Sequence, residues 1–328
     1  MLTKSSNKMR PVYIVLVILL LLVPLIIRDD YLMHLIIMTC VWGIVATNWN
    51  LTLGYGGMFH IAQLTFFAVG GYASGIGAVT FGASPWLGLL IGGAAAMAAS
   101  LVIGLPSLRV KGIYLILLTY AFHNGVSELV NHFRDYTGGS MGLLVPAFEA
   151  GSVSFVTHPS YYYYMVLPLL LFSIISTRLI EKSFIGKALM ATRDSEVLAS
   201  VSGINPYKYK LVTFITAAFI SGIAGAFYAS YLGVIGPEIF SFSLIVNGLG
   251  MIVIGGMGTL FGPIAGSFII TFFMEVFSSL EDFRPILVGA VIILALLYAP
   301  NGVVNYLGEM LAKIKSRKLP GQARESGE

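Results

Sequence analysis

Long stretches without one charged residue dominate the chain: Pro11–Ile27, Tyr31–Leu108, Gly112–Ser127, Ala150–Thr177, Leu211–Pro237, Ile239–Met274 and Pro285–Gly308. A membrane-crossing helix needs about 20 apolar residues. The in/out alternation of a barrel strand is absent, so the crossings are read as helices. The cations between the stretches set the orientation. Sixteen of the nineteen Lys and Arg residues fall on one side if only Arg28, Arg134 and Arg284 lie on the other. That places both termini in the cytoplasm and requires an even number of crossings, three of them within Tyr31–Leu108. The expected architecture is an all-α integral membrane protein, a polytopic bundle of about ten transmembrane helices with glycine-rich broken segments. The expected spans are 11–27, 32–53, 60–81, 86–104, 112–131, 160–179, 210–232, 241–258, 262–280 and 285–300. A cytoplasmic N-terminus (1–10), a membrane domain (11–300) with a cytoplasmic loop at 181–209, and a cytoplasmic tail (301–328) complete the layout.

Composition supports the apolar solvent. The chain is 57% hydrophobic and only 10% charged, against roughly 25% charged in soluble proteins. Met1–Ile27 has a basic start but no small-residue cleavage site, so it reads as an uncleaved first span. The one cysteine, Cys40, has no partner for an intrachain disulfide. The net charge of +4 belongs to the cytoplasmic loops that set orientation, so no nucleic-acid partner is expected.

Glycine is concentrated in two apolar segments, "GYGGMFHIAQLTFFAVGGYASGIG" (Gly54–Gly77) and "VNGLGMIVIGGMGTLFGPIAG" (Val246–Gly266). Neither carries a dinucleotide fingerprint or a P-loop. In a membrane such residues let helices approach closely, and broken apolar segments point to a translocation path. The candidate path residues are Gly56, Gly57, His60, Gln63, Gly70, Gly71, Asn247, Gly255, Gly256, Gly258, Gly262 and Glu275. His60 and Gln63 are expected one turn apart on one helix face. Asn48, Asn50, His123 and Asn124 suit hydrogen bonds between helices, and Glu128 and Glu275 need pairing or water. No HExxH or GxSxG occurs, the five histidines are scattered, and neither a catalytic group nor a metal site is expected.

Within the loop, Asp194 or Ser195 can cap a short helix that Gly203 and Pro206 stop. Two turns do not persist alone in water, so this helix must dock, on a partner ATPase or on lipid headgroups. At this point the chain resembles the permease subunits of branched-chain amino acid ABC importers, the LivM/LivH family, most of all the M type. The matching stretches include "GYGG" (54–57), "FFAVGGY" (66–72), "LRVKGIYL" (108–115), "TGGSMGL" (137–143), "GKAL" (186–189), "RDSEVLASVSGIN" (193–205), "GIAGAFYASYLGVIGPEIFS" (222–241) and "VIGGMGTLFGPIAG" (253–266).

The resemblance implies a non-enzymatic subunit of a bacterial plasma-membrane importer for branched-chain amino acids. It implies a homologous LivH-like second permease, two ATP-binding subunits that carry the ATP, and an external solute-binding protein, with no cofactor on this chain. It assigns ATPase coupling to Arg193, Asp194, Glu196, Ala199 and Gly203. The chain departs from the family after Gly57, where Met58-Phe59-His60-Ile61-Ala62-Gln63 stands, and at Leu198-Ala199. Permeases for urea or short amides, and a stand-alone secondary transporter or channel, are the alternatives.

Overall fold

The computed structural model describes residues 21–306, except 28, 151–152, 156–157, 279, 281–282 and 300–301. The expected segment 1–10, most of the span 11–27 and most of the tail 301–328 lie outside the described residues. In chain order the helices are α1 (Asp30–Asn50), α2 (Ala62–Phe81), α3 (Pro85–Ser107), α4 (Ile113–His132), α5 (Pro159–Lys182), α6 (Phe184–Asp194), α7 (Glu196–Val201), α8 (Pro206–Leu232), α9 (Phe242–Gly255), α10 (Gly262–Val276) and α11 (Arg284–Tyr298). Their starts follow local chemistry. Asp29 Oδ1 accepts the Tyr31 and Leu32 amides at 2.8 and 3.3 Å, and Asn205 Oδ1 accepts that of Lys208 at 3.2 Å. Pro85, Pro159 and Pro206 occupy the first turns of their helices, where no amide donor is missed.

The protein is an all-α polytopic membrane protein. Seven helical stretches among the described residues are long and apolar enough to cross a bilayer. The expected crossings at 241–258 and 262–280 contain α9 and α10, of only 14 and 15 residues. At 1.5 Å per residue these are about 21–22 Å long, against a hydrocarbon core of about 30 Å. Glycine ends α9, since Gly256 and Gly258 have φ of 119° and 72°, outside any right-handed helix, whereas α10 begins at the expected Gly262 and ends at Val276. The expected span 32–53 is not one α-helix either. After Asn50 the chain winds as a π-helical turn, Leu51–Tyr55, and the next helix begins only at Ala62.

Three helices form the most tightly joined unit. On α3 the buried positions Gly88, Gly92, Ala96, Ser100 and Gly104 recur every four residues, one stripe of a helix surface. This stripe meets α2 and α8 backbone to backbone: a Cβ on Gly92 would lie 2.6 Å from the Gly70 carbonyl oxygen and 2.7 Å from Ala226 Cβ. Cβ atoms on Gly70 and Gly225 would run into the backbones of Gly222 and Phe67. Small residues of this kind let membrane helices approach within van der Waals contact. Outward-facing positions such as Phe81, Leu90, Leu117, Ile175 and Leu297 stay exposed, as a surface in contact with lipid requires.

The segment expected to be an outer loop, Asp135–Ser160, is partly ordered by strands. Leu143–Leu144 pairs antiparallel with Val234–Ile235, and Glu149–Ala150 pairs with Val153–Ser154. The first pair ties the α4–α5 connection to the end of α8.

Substituting Gly92→Leu should wedge α3 away from α2 and α8, at about 1–3 kcal/mol or more. Gly125→Leu, where an added Cβ meets nothing within 4 Å, is the control. Thermal unfolding of the detergent-purified protein, followed by size-exclusion chromatography, should show a large loss for Gly92→Leu and little change for Gly125→Leu.

Candidate functional site

Three chain breaks meet at one end of the bundle. Asn50, at the end of α1, accepts the Gly258 amide on Oδ1 at 2.8 Å and donates from Nδ2 to the Thr259 carbonyl at 2.8 Å. Thr259 Oγ1 donates to the Gly256 carbonyl at 2.8 Å and accepts the Gly262 amide at 3.1 Å. The turn between α9 and α10 is thereby closed by side chains. Arg193, near the end of α6, donates from Nη1 to the Gly54 carbonyl at 3.0 Å, within the π-helical turn. Its stem packs where a Cβ on Gly57 would sit, 2.6 Å from Arg193 Cγ. Gly57 has φ of 64°, so neither its backbone nor its surroundings admit a larger residue.

The loop helix forms as the sequence indicates. Ser195 Oγ accepts the Leu198 amide at 3.3 Å, and α7 runs from Glu196 to Val201. The Ile204 amide donates to the Ala199 carbonyl at 3.0 Å and that of Gly203 to Ser200 at 3.0 Å, with Gly203 at φ 81°. This is a glycine-terminated helix end. Ala199 is buried, whereas Val197, Leu198 and Val201 are 72%, 69% and 83% exposed. Asp194 is exposed and pairs with Arg193, Nη2 to Oδ1 at 3.2 Å. The helix α6, Phe184–Asp194, lies within the expected loop 181–209.

Glu196 carries a second, unanticipated link. Its two carboxylate oxygens take the ammonium groups of Lys111, just before α4, and Lys210, on α8. Burial pushes its carboxyl pKa up, but the hydrogen bonds and charges of Lys111 and Lys210 outweigh this and hold it below the ordinary value. The Glu196–Lys210 pair is mostly shielded, with side chains 21% and 15% exposed. Lys111 is 72% exposed, so its arm contributes little.

The remaining candidates fall into separate places. His60 precedes α2 rather than sharing a helix face with Gln63. Its Nε2 pairs with Thr52 Oγ1 at 2.8 Å, and its carbonyl accepts Trp49 Nε1–H at 3.0 Å. Gln63 Nε2 donates to Ser221 Oγ at 2.5 Å and the Ala217 carbonyl at 3.2 Å, tying α2 to α8. His123 Nε2 faces the Phe240 carbonyl at 3.1 Å and Nδ1 the Thr65 hydroxyl at 2.9 Å. Since a carbonyl only accepts, Nε2 carries the proton and Nδ1 accepts from Thr65.

Gly70 and Gly71 pack against α8. Gly56 abuts the Thr52 carbonyl and Leu189, and Gly255 and Gly262 abut each other. Asn247 and Glu275 instead share the wall of a cavity of about 240 Å³ between α1, α8, α9 and α10. Glu128 is exposed. No group of three His, Cys, Asp or Glu suited to a metal ion occurs among the described residues.

The clamp makes a prediction. A buried hydrogen bond to a charged group is worth about 1.5–3 kcal/mol and an exposed pair about 0–1. Lys210→Met should therefore speed limited proteolysis across Ser195–Gly203 about tenfold, and Lys111→Met much less. The folded carboxyl titrates below its unfolded value of about 4.3. The clamp's stabilisation is therefore full above that value and disappears as pH falls through the lowered pKa, with no change between pH 6 and 8.

Comparison with known proteins matches residues 31–297 to the family described as branched-chain amino acid transport system / permease component. The chain is similar to the high-affinity branched-chain amino acid transport system permease protein LivM of Escherichia coli (strain K12), at 26% identity over 87% of this chain and 72% of that protein. It is similar to LivH of the same strain, at 24% identity over 80% of this chain and 91% of that protein. The ribose import permease protein RbsC of Haemophilus influenzae is 30% identical over 38% of this chain and 39% of its own length. No solved structure matches the chain. With the match extending over most of its length, from α1 almost to the end of α11, this chain belongs to the branched-chain amino acid transport system permease family.

Proposed function

We propose that this chain is one permease subunit of an ATP-driven importer that moves leucine, isoleucine and valine across a bacterial plasma membrane. Family membership supports the solute class. The observation that carries the mode of action is α7: a two-turn helix with an exposed apolar side, fastened at Glu196 and adjoining Arg193, which reaches the π-helical turn. Such a helix transmits force to the membrane domain only if something docks on it. In this reading one of two ATPases docks there, the other serves the sister permease, and the two supply all ATP chemistry. A LivH-like sister permease completes the pore, and a solute-binding protein delivers solute to Asp135–Ser160. The route for solute follows α1, α9 and α10 past Asn247 and Glu275 and ends near Gly57 and Gly258.

The orientation is open to direct measurement. In a Cys40→Ala background, Ser140→Cys should react with an impermeant thiol reagent applied from outside, and Val201→Cys only after permeabilisation. The reverse pattern refutes cytoplasmic placement of α7.

Reconstitution tests the activity. The complete complex in liposomes should take up leucine with ATP and loaded binding protein, in preference to urea or acetamide. Uptake by this chain alone on an ion gradient would instead favour a secondary transporter. Gly203→Val should reduce solute-stimulated ATP hydrolysis about tenfold, because a left-handed conformation costs an L-residue roughly 1–2 kcal/mol and the space around Gly203 is otherwise open. Undiminished stimulation removes α7 as the coupling element.

A further inference from the structure

The cavity between α1, α8, α9 and α10 is lined by apolar and oxygen-bearing side chains together. Trp42, Leu244 and Met251 form an apolar wall, while Asn247, Thr271 and Glu275 bring oxygen atoms to it. Thr271 Oγ1 is buried and has no hydrogen-bond partner among the described residues. Asn247 turns its Nδ2 to Met274 Sδ at 3.3 Å, which leaves its carbonyl oxygen as an acceptor. Glu275 lies in the last turn of α10, where the helix presents its negative end and a carboxylate is disfavoured. It has no ion-pair partner among the described residues.

Three acceptors with no matching donor are complementary to one chemical group. A primary ammonium carries three N–H donors and a positive charge, and it would satisfy the buried hydroxyl while neutralising the carboxylate at the helix end. The volume of about 240 Å³ falls below the roughly 300–1,000 Å³ of drug-sized sites and suits a small solute. The lining offers an aliphatic or thioether body its contacts through Trp42, Leu244 and Met251. The lining holds no Lys or Arg, so the ligand's own α-carboxylate falls to the Tyr228 hydroxyl and the His34 imidazole, and an acidic side chain would find no further donor of charge.

We infer that this cavity is a solute-binding site within the permease itself, in which Glu275, Thr271 and Asn247 hold the ammonium group of a neutral amino acid and the apolar wall holds its side chain. The inference rests on the importer reading and adds to it a site of selection on this subunit, separate from any selection by the binding protein. Glu275 is the specificity-determining group, because among the three oxygen-bearing side chains that hold the ammonium it is the one that can carry a charge opposite to it.

The test uses the purified complex in a Cys40→Ala background with Met274→Cys, whose thiol reports on the cavity wall. Leucine at ten times its Kd should slow alkylation of that thiol about tenfold. 4-Methylpentanoate, which is leucine without its ammonium, should not, and Glu275→Gln should abolish the protection by leucine. A complex that takes up leucine yet shows no protection overturns the site alone. Equal protection by 4-methylpentanoate overturns the role of Glu275. Absence of leucine uptake by the unsubstituted complex overturns the importer reading and the ligand class together, and so is distinguishable from failure of the site.

Discussion

Asn50 satisfies two backbone groups of another segment at once, and the interior depends on that exchange. In hydrocarbon an unpaired amide or carbonyl costs several kcal/mol, so a chain leaves helical form only where protein supplies the missing partners. The turn between α9 and α10 leaves helical form at Gly256. Asn50 takes its Gly258 amide and gives a donor to its Thr259 carbonyl, and Thr259 closes the rest. Removing Asn50 would open both breaks together, because the side chain that closes the turn stands where α1 becomes a π-helix.

The same junction joins the loop helices to the membrane domain. Arg193 bridges α6 and the π-helical turn, and α7 follows α6 with only Ser195 between them. α1 then extends to the cavity: Trp42 lies in its wall, twelve residues or about 18 Å along the chain from Gly54 if helical rise is maintained. α9 and α10 span the same interval, each bearing cavity residues and each ending at the turn that Asn50 holds. α7 is therefore joined to the cavity by a continuous run of hydrogen bonds and helix backbone.

Hydropathy and charge made most of this plan legible. α2, α3, α4, α5 and α8 lie close to their expected spans because each is an uninterrupted apolar run between charges or turns. Ser195 and Gly203 marked α7 because caps are local chemistry. The π-helical turn was not legible, since Leu51-Thr52-Leu53-Gly54-Tyr55 continues the apolar pattern of α1 and a change in winding leaves no mark in hydropathy. Arg193 was singled out through family resemblance, but its contact with Gly54 joins residues far apart in sequence. The cavity escaped notice for the same reason. Asn247 and Glu275 are candidates from sequence, but Thr271 and Trp42 join them only once four helices are assembled, and His60 and Gln63 are engaged with Thr52 and with Ser221 and Ala217 of α8.

The glycine contacts among α2, α3 and α8 also determine where the molecule can move. An interface made of Gly70, Gly92, Gly222 and Gly225 has almost no side-chain rotamers, so it offers no alternative packing and loses little side-chain entropy on forming. Two-state motion requires contacts that can be exchanged for others of similar free energy, and backbone resting on backbone has none. The three helices therefore act as a stator. The degrees of freedom that remain fall to α1 against the α9–α10 pair, where the contacts are hydrogen bonds and side chains that can change partners, whereas α9 and α10 are themselves joined backbone to backbone at Gly255, Gly262 and Gly266.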